Sequence, residues 1–126
     1  MAHIPIEAVP YLESAIYLPM LLIVLEKDYE LIEKGPFKLK RPYVHLIEEA
    51  KKLAEKDLQN TKSYLKKHSL KVVQGKRDDL FTEYLFYYKQ VSEVRRYSNI
   101  RLRNRVEELL NDYLSSSGSS RKSSSL

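Results

Sequence analysis

Residues 69–88, SLKVVQGKRDDLFTEYLFYY, decide the fold class, because they include the stretch that fits a helical pattern least. Residues 69–77 have no second extended segment to pair with, so we expect a loop that buries Leu70 and Val72. At the two aspartates that follow, we expect a helix to begin, since acidic side chains are favourable near a helix N-terminus. One face of that helix would carry Leu80, Phe81, Tyr84, Leu85, Tyr88 and Val91.

Three further helices are predicted around this stretch. The first runs from about residue 10 to 34, with a kink or break at Pro19, which removes a backbone donor and clashes with the preceding turn. Residues 42–67 form the clearest amphipathic helix, with apolar side chains at three- and four-residue steps. The last helix begins near Ser98 or Asn99. Four amphipathic helices predict an all-α four-helix bundle, arranged up-down-up-down.

Composition places the predicted helices in one small domain. The chain has 126 residues, 43% of them apolar, and we assign residues 1–114 to a single helical domain. Residues 115–126, SSSGSSRKSSSL, are serine-rich and of low complexity, which predicts a disordered tail. The absence of cysteine excludes disulfides, thiolate metal sites and cysteine nucleophiles.

The N-terminal apolar run predicts no membrane insertion. Residues 15–25 are a run of eleven residues, apolar except for Pro19, whereas a spanning helix needs about 20. The preceding residues carry Glu7 and Glu13 and no lysine or arginine, which argues against a signal peptide. We therefore expect a cytoplasmic protein without a membrane partner.

An arginine cluster near the C-terminal end is the first candidate site. No acidic residue interrupts it, and an aromatic side chain lies within it; its members are Arg95, Arg96, Tyr97, Arg101, Arg103 and Arg105. On a helix that begins near Ser98, Arg101 and Arg105 share a face and Arg103 points elsewhere. Arginines beside an aromatic ring are suited to holding phosphates and stacking on a base.

The same cluster has a structural interpretation. Arg101, Arg103 and Arg105 would pair with Glu107, Glu108 and acids of the first helix. Arginines 95 and 96 would complement the dipole at the C-terminal end of the third helix. Both interpretations stay open at the level of sequence.

Aromatic side chains are the second candidate site. The chain has ten tyrosines and no tryptophan. Phe86 and Tyr87 fall outside the apolar stripe of the predicted third helix and need a second contact surface. That surface is either an interface with a partner or a second copy, or the N-terminal segment of the same chain.

Metal and enzyme sites are not indicated. His45 lies within one helical turn of Glu48 and Glu49, but a di-metal bundle places a glutamate three residues before each histidine, the reverse of this order. No phosphate-binding glycine loop, nucleophile elbow or zinc-protease helix occurs. We therefore expect no catalytic residues, no metal and no other cofactor.

Three stretches resemble a family of small helical proteins from bacilli and related spore-formers, the YhjD-like group. They are residues 15–21 (AIYLPML), 35–43 (GPFKLKRPY) and 102–109 (LRNRVEEL). The resemblance covers most of residues 10–114 and does not include the serine-rich tail. It implies a bacterial cytoplasmic setting and supplies no catalytic residues.

Two functions fit these observations. The first is a small helical interaction or regulatory protein without catalytic activity, which binds another protein or itself through Phe86, Tyr87 and the arginine face. The alternative is a nucleic-acid-binding accessory protein that uses the arginine cluster. Salt separates the two, because phosphate contacts weaken steeply with ionic strength and aromatic contacts do not.

Overall fold

The fold combines three long helices with a three-stranded sheet. A computed structural model describes residues 3–124, and the side chains of residues 3–116. After a 3-10 turn at Ile6–Ala8, the elements are α1 (Val9–Lys34), α2 (Arg41–Lys67), β1 (Leu70–Arg77), β2 (Phe81–Tyr88), β3 (Val91–Ser98) and α3 (Asn99–Ser124). The fold is therefore α+β, and the predicted all-α four-helix bundle is wrong.

The three strands form an antiparallel meander in the order β1-β2-β3. Residues 69–77, predicted to be a loop, contain β1, which pairs with β2 from Leu70 opposite Tyr88 to Arg77 opposite Thr82. The predicted third helix is instead the hairpin of β2 and β3, which pair from Phe81 opposite Ser98 onwards. The partner strand of β1 is thus β2, which lies in the segment predicted to be a helix.

The hairpin was misread because β2 is apolar on both faces. Tyr84 and Phe86 point to the buried side of the sheet, while Phe81 and Leu85 lie half-buried on the other side. When both faces carry apolar side chains, a strand no longer shows the alternation of apolar and polar residues that identifies it. Its sequence then fits the apolar stripe of a helix as well as it fits a strand. The turn adds no signal, since it uses Lys89, at φ 54°, where hairpins favour glycine or asparagine.

Two clusters of buried side chains hold the elements together. The sheet packs its inner face on the N-terminal part of α1, the end of α2 and the start of α3, through Ile4, Ala8, Leu12, Ile16, Leu65, Leu70, Tyr84, Phe86 and Leu102. The helices form a second cluster among themselves, through Leu18, Leu21, Leu25, Ile47, Ala50, Ala54 and Val106. The opposite face of the sheet is left exposed at Val94, Val73 and Tyr87.

The helix predictions were more accurate than the fold class. The predicted bounds of α2 and the start of α3 are confirmed. The helix α1 continues through Pro19, so of the predicted kink or break the break is wrong, and the kink stays a prediction.

The serine-rich segment adjoins the last helix. The backbone of residues 115–124 continues α3, and the disorder expected of this segment stays a prediction. Serine has an intermediate helix propensity and this segment has no proline, so continuation of the helix is sterically allowed. Residues 125–126, the end of the predicted tail, lie outside the described residues.

One helical stretch passes a length and composition test for a membrane span. It is Ile6–Lys34, and 33% of its most apolar window is buried in the fold. The same helix supplies Leu12, Leu21 and Leu25, which are fully buried against other elements. Core helices commonly pass this test, so the absence of a membrane partner stays a prediction.

The start of α3 is tied to the sheet by Asn99. Its side-chain oxygen accepts a hydrogen bond from Thr82 Oγ1 at 2.6 Å, and its Nδ2 donates to the carbonyl oxygen of Asp78 at 2.9 Å. The backbone N–H of Asn99 donates to the Leu80 carbonyl at 2.8 Å. Because Thr82 is only 2% exposed, these bonds fix the helix start against a buried part of β2.

We expect Asn99→Ala to lower the free energy of unfolding by about 1–3 kcal/mol, since it leaves the buried Thr82 hydroxyl without its acceptor. Urea denaturation followed by circular dichroism measures this change. The matched control is Asn111→Ala, at an exposed position of the same helix, which should alter stability by less than about 0.5 kcal/mol. An equal effect of both substitutions would contradict the anchoring role.

Candidate anion-binding cleft

A polar cleft of about 780 Å³ lies between the first half of α1, the end of β3 and the first turns of α3. Its walls carry four arginines and two glutamates, a formal net charge of +2. The lining residues are Glu13, Tyr17, Phe81, Arg95, Arg96, Tyr97, Ser98, Arg101, Leu102, Asn104, Arg105 and Glu108.

The strand β3 supplies two of the arginines from opposite faces of the sheet. Arg95 is half-buried on the inner face, where its guanidinium lies 5.3 Å from the centre of the Phe86 ring and its Nη2 is 3.2 Å from Glu93 Oε2. Arg96 is on the outer face, with its guanidinium 4.2 Å from the centre of the Phe81 ring. Both side chains reach the cleft because β3 is an edge strand.

The helix α3 supplies the other two arginines. Arg101 and Arg105 are four residues apart and line the cleft together. The Ser98 Oγ accepts a hydrogen bond from the backbone N–H of Arg101 at 3.1 Å and so caps the helix start. The first turn of α3 contains no acidic residue, so its N–H groups and Arg101 place positive charge at the same point.

The four arginines differ in whether a carboxylate lies close enough to pair with them. Arg105 Nη1 is 3.3 Å from Glu108 Oε1, an exposed pair that contributes little to stability. Among the side chains of residues 3–116, no carboxylate oxygen lies within 4.0 Å of the guanidinium of Arg101 or of Arg96. The cleft therefore contains arginine charge that an anion can still pair with.

A carboxylate and two tyrosines form the inner wall. The Tyr97 hydroxyl donates a hydrogen bond to Glu13 Oε2 at 2.9 Å. The pKa of Tyr97 is well above its usual value. Burial is the largest cause, and the hydrogen bond to Glu13 and the negative charge of Glu13 raise the pKa further. Burial also raises the pKa of Tyr17. Both phenols therefore stay neutral near pH 7 and offer aromatic surface and hydroxyl groups to a ligand.

The structure brings together most of the predicted arginine cluster. Arg95, Arg96, Tyr97, Arg101 and Arg105 all line the cleft. Arg103 is exposed and is not part of the lining, as the helical spacing had predicted.

The predicted aromatic interface of Phe86 and Tyr87 does not form a single surface. Phe86 is 0% exposed in the core beneath Arg95, in one cluster with Ile4 and Ala8, so it follows the second of its two predicted alternatives, packing with the N-terminal segment. Tyr87 points to the opposite face of the sheet and is 37% exposed. The error follows from reading β2 as a helix, since adjacent residues of a strand face opposite sides.

Sequence reasoning missed Glu13, Tyr17 and Phe81 as lining residues. Glu13 and Tyr97 are 84 residues apart, and no local pattern relates them. His45, the candidate metal ligand, is instead an exposed side chain 3.9 Å from Glu49. No group of three or more metal-ligating side chains occurs among the described residues, and the absence of a cofactor stays a prediction.

Comparison with known proteins gives one consistent result. The model of the YhjD protein family matches residues 3–118. A relative from Bacillus subtilis (strain 168), named "Uncharacterized protein YhjD", is 38% identical over 114 residues, which cover 90% of this chain and 95% of the relative. No solved structure matches. These matches confirm the resemblance inferred from the sequence.

Proposed function

The chain belongs to the YhjD family, and we propose that it binds single-stranded nucleic acid without catalysis, in a bacterial cytoplasm. The observation that carries the proposal is the convergence of four arginines from β3 and α3 on one cleft. These arginines would hold backbone phosphates, which are the groups that fix most proteins on nucleic acids.

The positions of the arginines support a ligand rather than internal pairing. Arg101 lies in the first turn of α3, where the helix dipole disfavours a cation. Only Arg95 and Arg105 have a carboxylate partner among the described side chains, and each of these pairs is partly exposed. An arrangement that is electrostatically unfavourable in the free protein becomes favourable when a phosphate neutralises it.

The size and lining of the cleft favour a single strand over a duplex. A volume of about 780 Å³ is that of a pocket for a small ligand, which suits one or two nucleotides. The rings of Tyr17, Tyr97 and Phe81 line the same cleft as the arginines. Unpaired bases can stack on such rings, whereas the bases of a duplex are already stacked on each other.

Fluorescence anisotropy of labelled single- and double-stranded oligonucleotides, measured from low to physiological salt, tests this proposal. We expect single strands to bind more tightly than duplexes of equal length, with affinity that falls as salt rises. Binding that disappears at modest ionic strength, or equal binding of the two forms, would contradict it.

A specific observation favours a second function, self-association or protein binding through the outer face of the sheet. Val73, Leu85 and Val94 occupy one row across the three strands, since Val73 pairs with Leu85 and Leu85 with Val94. Val94 is 60% exposed, and Tyr87 extends the patch. Contiguous apolar surface of this kind is typical of protein interfaces.

We expect Val94→Asp to abolish any concentration-dependent increase in mass, because it places a charge at the most exposed member of the apolar row, on the edge strand β3. Sedimentation velocity over a range of protein concentrations measures this change. Ile100→Asp, at an exposed apolar position outside the sheet, is the matched control. A mass that is independent of concentration in the unmodified protein would contradict self-association through this face.

A further inference from the structure

The connection between α1 and α2 exposes large apolar side chains at the end of the helices remote from the sheet. Leu39 is 75% exposed, Leu31 is 69% exposed, and Tyr43 and Phe37 are about half exposed. The rings of Phe37 and Tyr43 are 5.7 Å apart, so these two side chains form one surface. Burial in the core therefore does not explain why these positions are apolar.

An apolar groove continues this surface. It has a volume of about 390 Å³, lies between α1, α2 and α3, and includes the exposed Leu31 and Tyr43 in its lining. Its other walls are almost entirely aliphatic side chains, with Asp28 as the one acidic residue among them. The exposed loop and the groove together form a continuous apolar region at one end of the molecule.

Four cations lie in or next to the loop, while acidic residues lie before it on α1 and after it on α2. Lys34, Lys38, Lys40 and Arg41 alternate with the apolar side chains, and no acidic residue occurs from position 34 to position 47. Lys40 Nζ donates a hydrogen bond to the carbonyl oxygen of Glu33 at 2.6 Å, which holds its charge next to the loop. The loop is therefore both apolar and basic.

We propose that this loop docks the protein on the surface of an anionic phospholipid bilayer. Phe37 and Leu39 would enter the interfacial layer, and the four cations would pair with lipid phosphates. Binding of this kind combines buried apolar area with the attraction of lysine and arginine side chains to anionic lipids. A protein partner would need acidic groups between its apolar contacts, whereas a bilayer offers apolar chains and phosphates over its whole surface.

Peripheral docking does not require a membrane span, so the short apolar run at residues 15–25 does not exclude it. It also leaves the arginine cleft accessible. Glu13 in the cleft and Lys34 at the loop are 21 residues apart on the continuous helix α1, a distance of about 30 Å. The docking surface is thus separate from the proposed nucleic-acid site and does not depend on it.

Tryptophan fluorescence tests the docking directly, because the chain contains no tryptophan. The variant Leu39→Trp places a single reporter at an apolar position of the loop that is 75% exposed, and Leu80→Trp places one in the β1–β2 connection, where Leu80 is 67% exposed. Each variant is mixed with vesicles of phosphatidylcholine alone or of phosphatidylcholine and phosphatidylglycerol in equal parts. We expect a blue shift only for Leu39→Trp and only with the anionic vesicles.

Vesicle co-sedimentation separates the loop from the arginine cleft, which also attracts anions. Phe37→Ala with Leu39→Ala should weaken binding to the anionic vesicles about tenfold, and Leu80→Ala with Ile100→Ala should leave it unchanged. Because Leu39 is 75% exposed, its truncation removes few contacts within the fold. A circular dichroism spectrum checks that each variant is folded.

Three outcomes would overturn the proposal. One is binding of the anionic vesicles without a blue shift of Leu39→Trp, and another is loss of vesicle binding in Arg101→Ala with Arg105→Ala but not in the loop variant. The third is a blue shift of Leu39→Trp that depends on protein concentration in the absence of lipid, which would show that the surface contacts a second copy of the chain.

Discussion

Replacing Arg101 and Arg105 together by alanine is expected to weaken binding of single-stranded DNA roughly a hundredfold at physiological salt. A hydrogen bond to a charged group contributes about 1.5–3 kcal/mol, so the loss of two such bonds costs about 3 kcal/mol or more. The slope of the logarithm of affinity against the logarithm of salt concentration should also fall by about 1.4, since each neutralised phosphate of a single strand contributes about 0.7.

The matched control has the same net charge as this variant. Arg103→Ala with Lys62→Ala also removes two cations, both at exposed positions outside the cleft lining. We expect its affinity to stay within about threefold of the unmodified protein, because long-range attraction between exposed charges is largely screened at this salt concentration. Equal losses in the two variants would mean that total charge, and not the cleft, determines binding.

Thermal unfolding shows whether a variant has lost affinity through a loss of stability. The side chains of Arg101, Arg103, Arg105 and Lys62 are all exposed, so none of these substitutions removes a core contact. Thermal unfolding should therefore be nearly unchanged in both variants. If Arg101→Ala with Arg105→Ala were more stable than the unmodified protein, this would agree with the cost of assembling arginines near a helix N-terminus.

Local patterns in the sequence were sufficient for the helices and insufficient for the sheet. Proline in the first turn and a sustained apolar stripe identified α2 almost to the residue. The strand β1 carries apolar side chains at Leu70, Val72 and Val73, but its pairing depends on β2, so an error in β2 removed its partner. The aromatic and β-branched side chains of β2 and β3 were the available signal, because such residues favour strands.

For the candidate site too, local spacing predicted some of the residues and tertiary packing determines the others. The four-residue spacing of Arg101 and Arg105 correctly predicted that they share a face and that Arg103 does not. The positions of Arg95 and Arg96 at the cleft follow from the edge strand β3, which was not predicted. The contact between Glu13 and Tyr97 joins the two ends of the chain through tertiary packing, and tertiary packing is not encoded in any short motif.

Phe86→Ala is expected to lower the free energy of unfolding by about 3–5 kcal/mol. Phe86 is 0% exposed and packs in the cluster that joins the sheet to α1, α2 and α3. Its truncation removes the apolar contacts of a whole ring and leaves a cavity that the surrounding elements fill only in part. It also removes the ring beneath the guanidinium of Arg95, so the cleft should lose part of its order. Urea denaturation measures the stability change.

Tyr87→Ala is the matched control for the position of Phe86, since it is the neighbouring aromatic residue on the opposite face of the same strand. We expect a loss below about 1 kcal/mol, because Tyr87 is 37% exposed and fills no part of the core. Phe86→Leu should fall between the two, since it keeps most of the apolar volume without the ring. If Phe86→Ala kept the stability of the unmodified protein and instead reduced self-association, Phe86 would be an interface residue and the assignment of β2 to the core would be wrong.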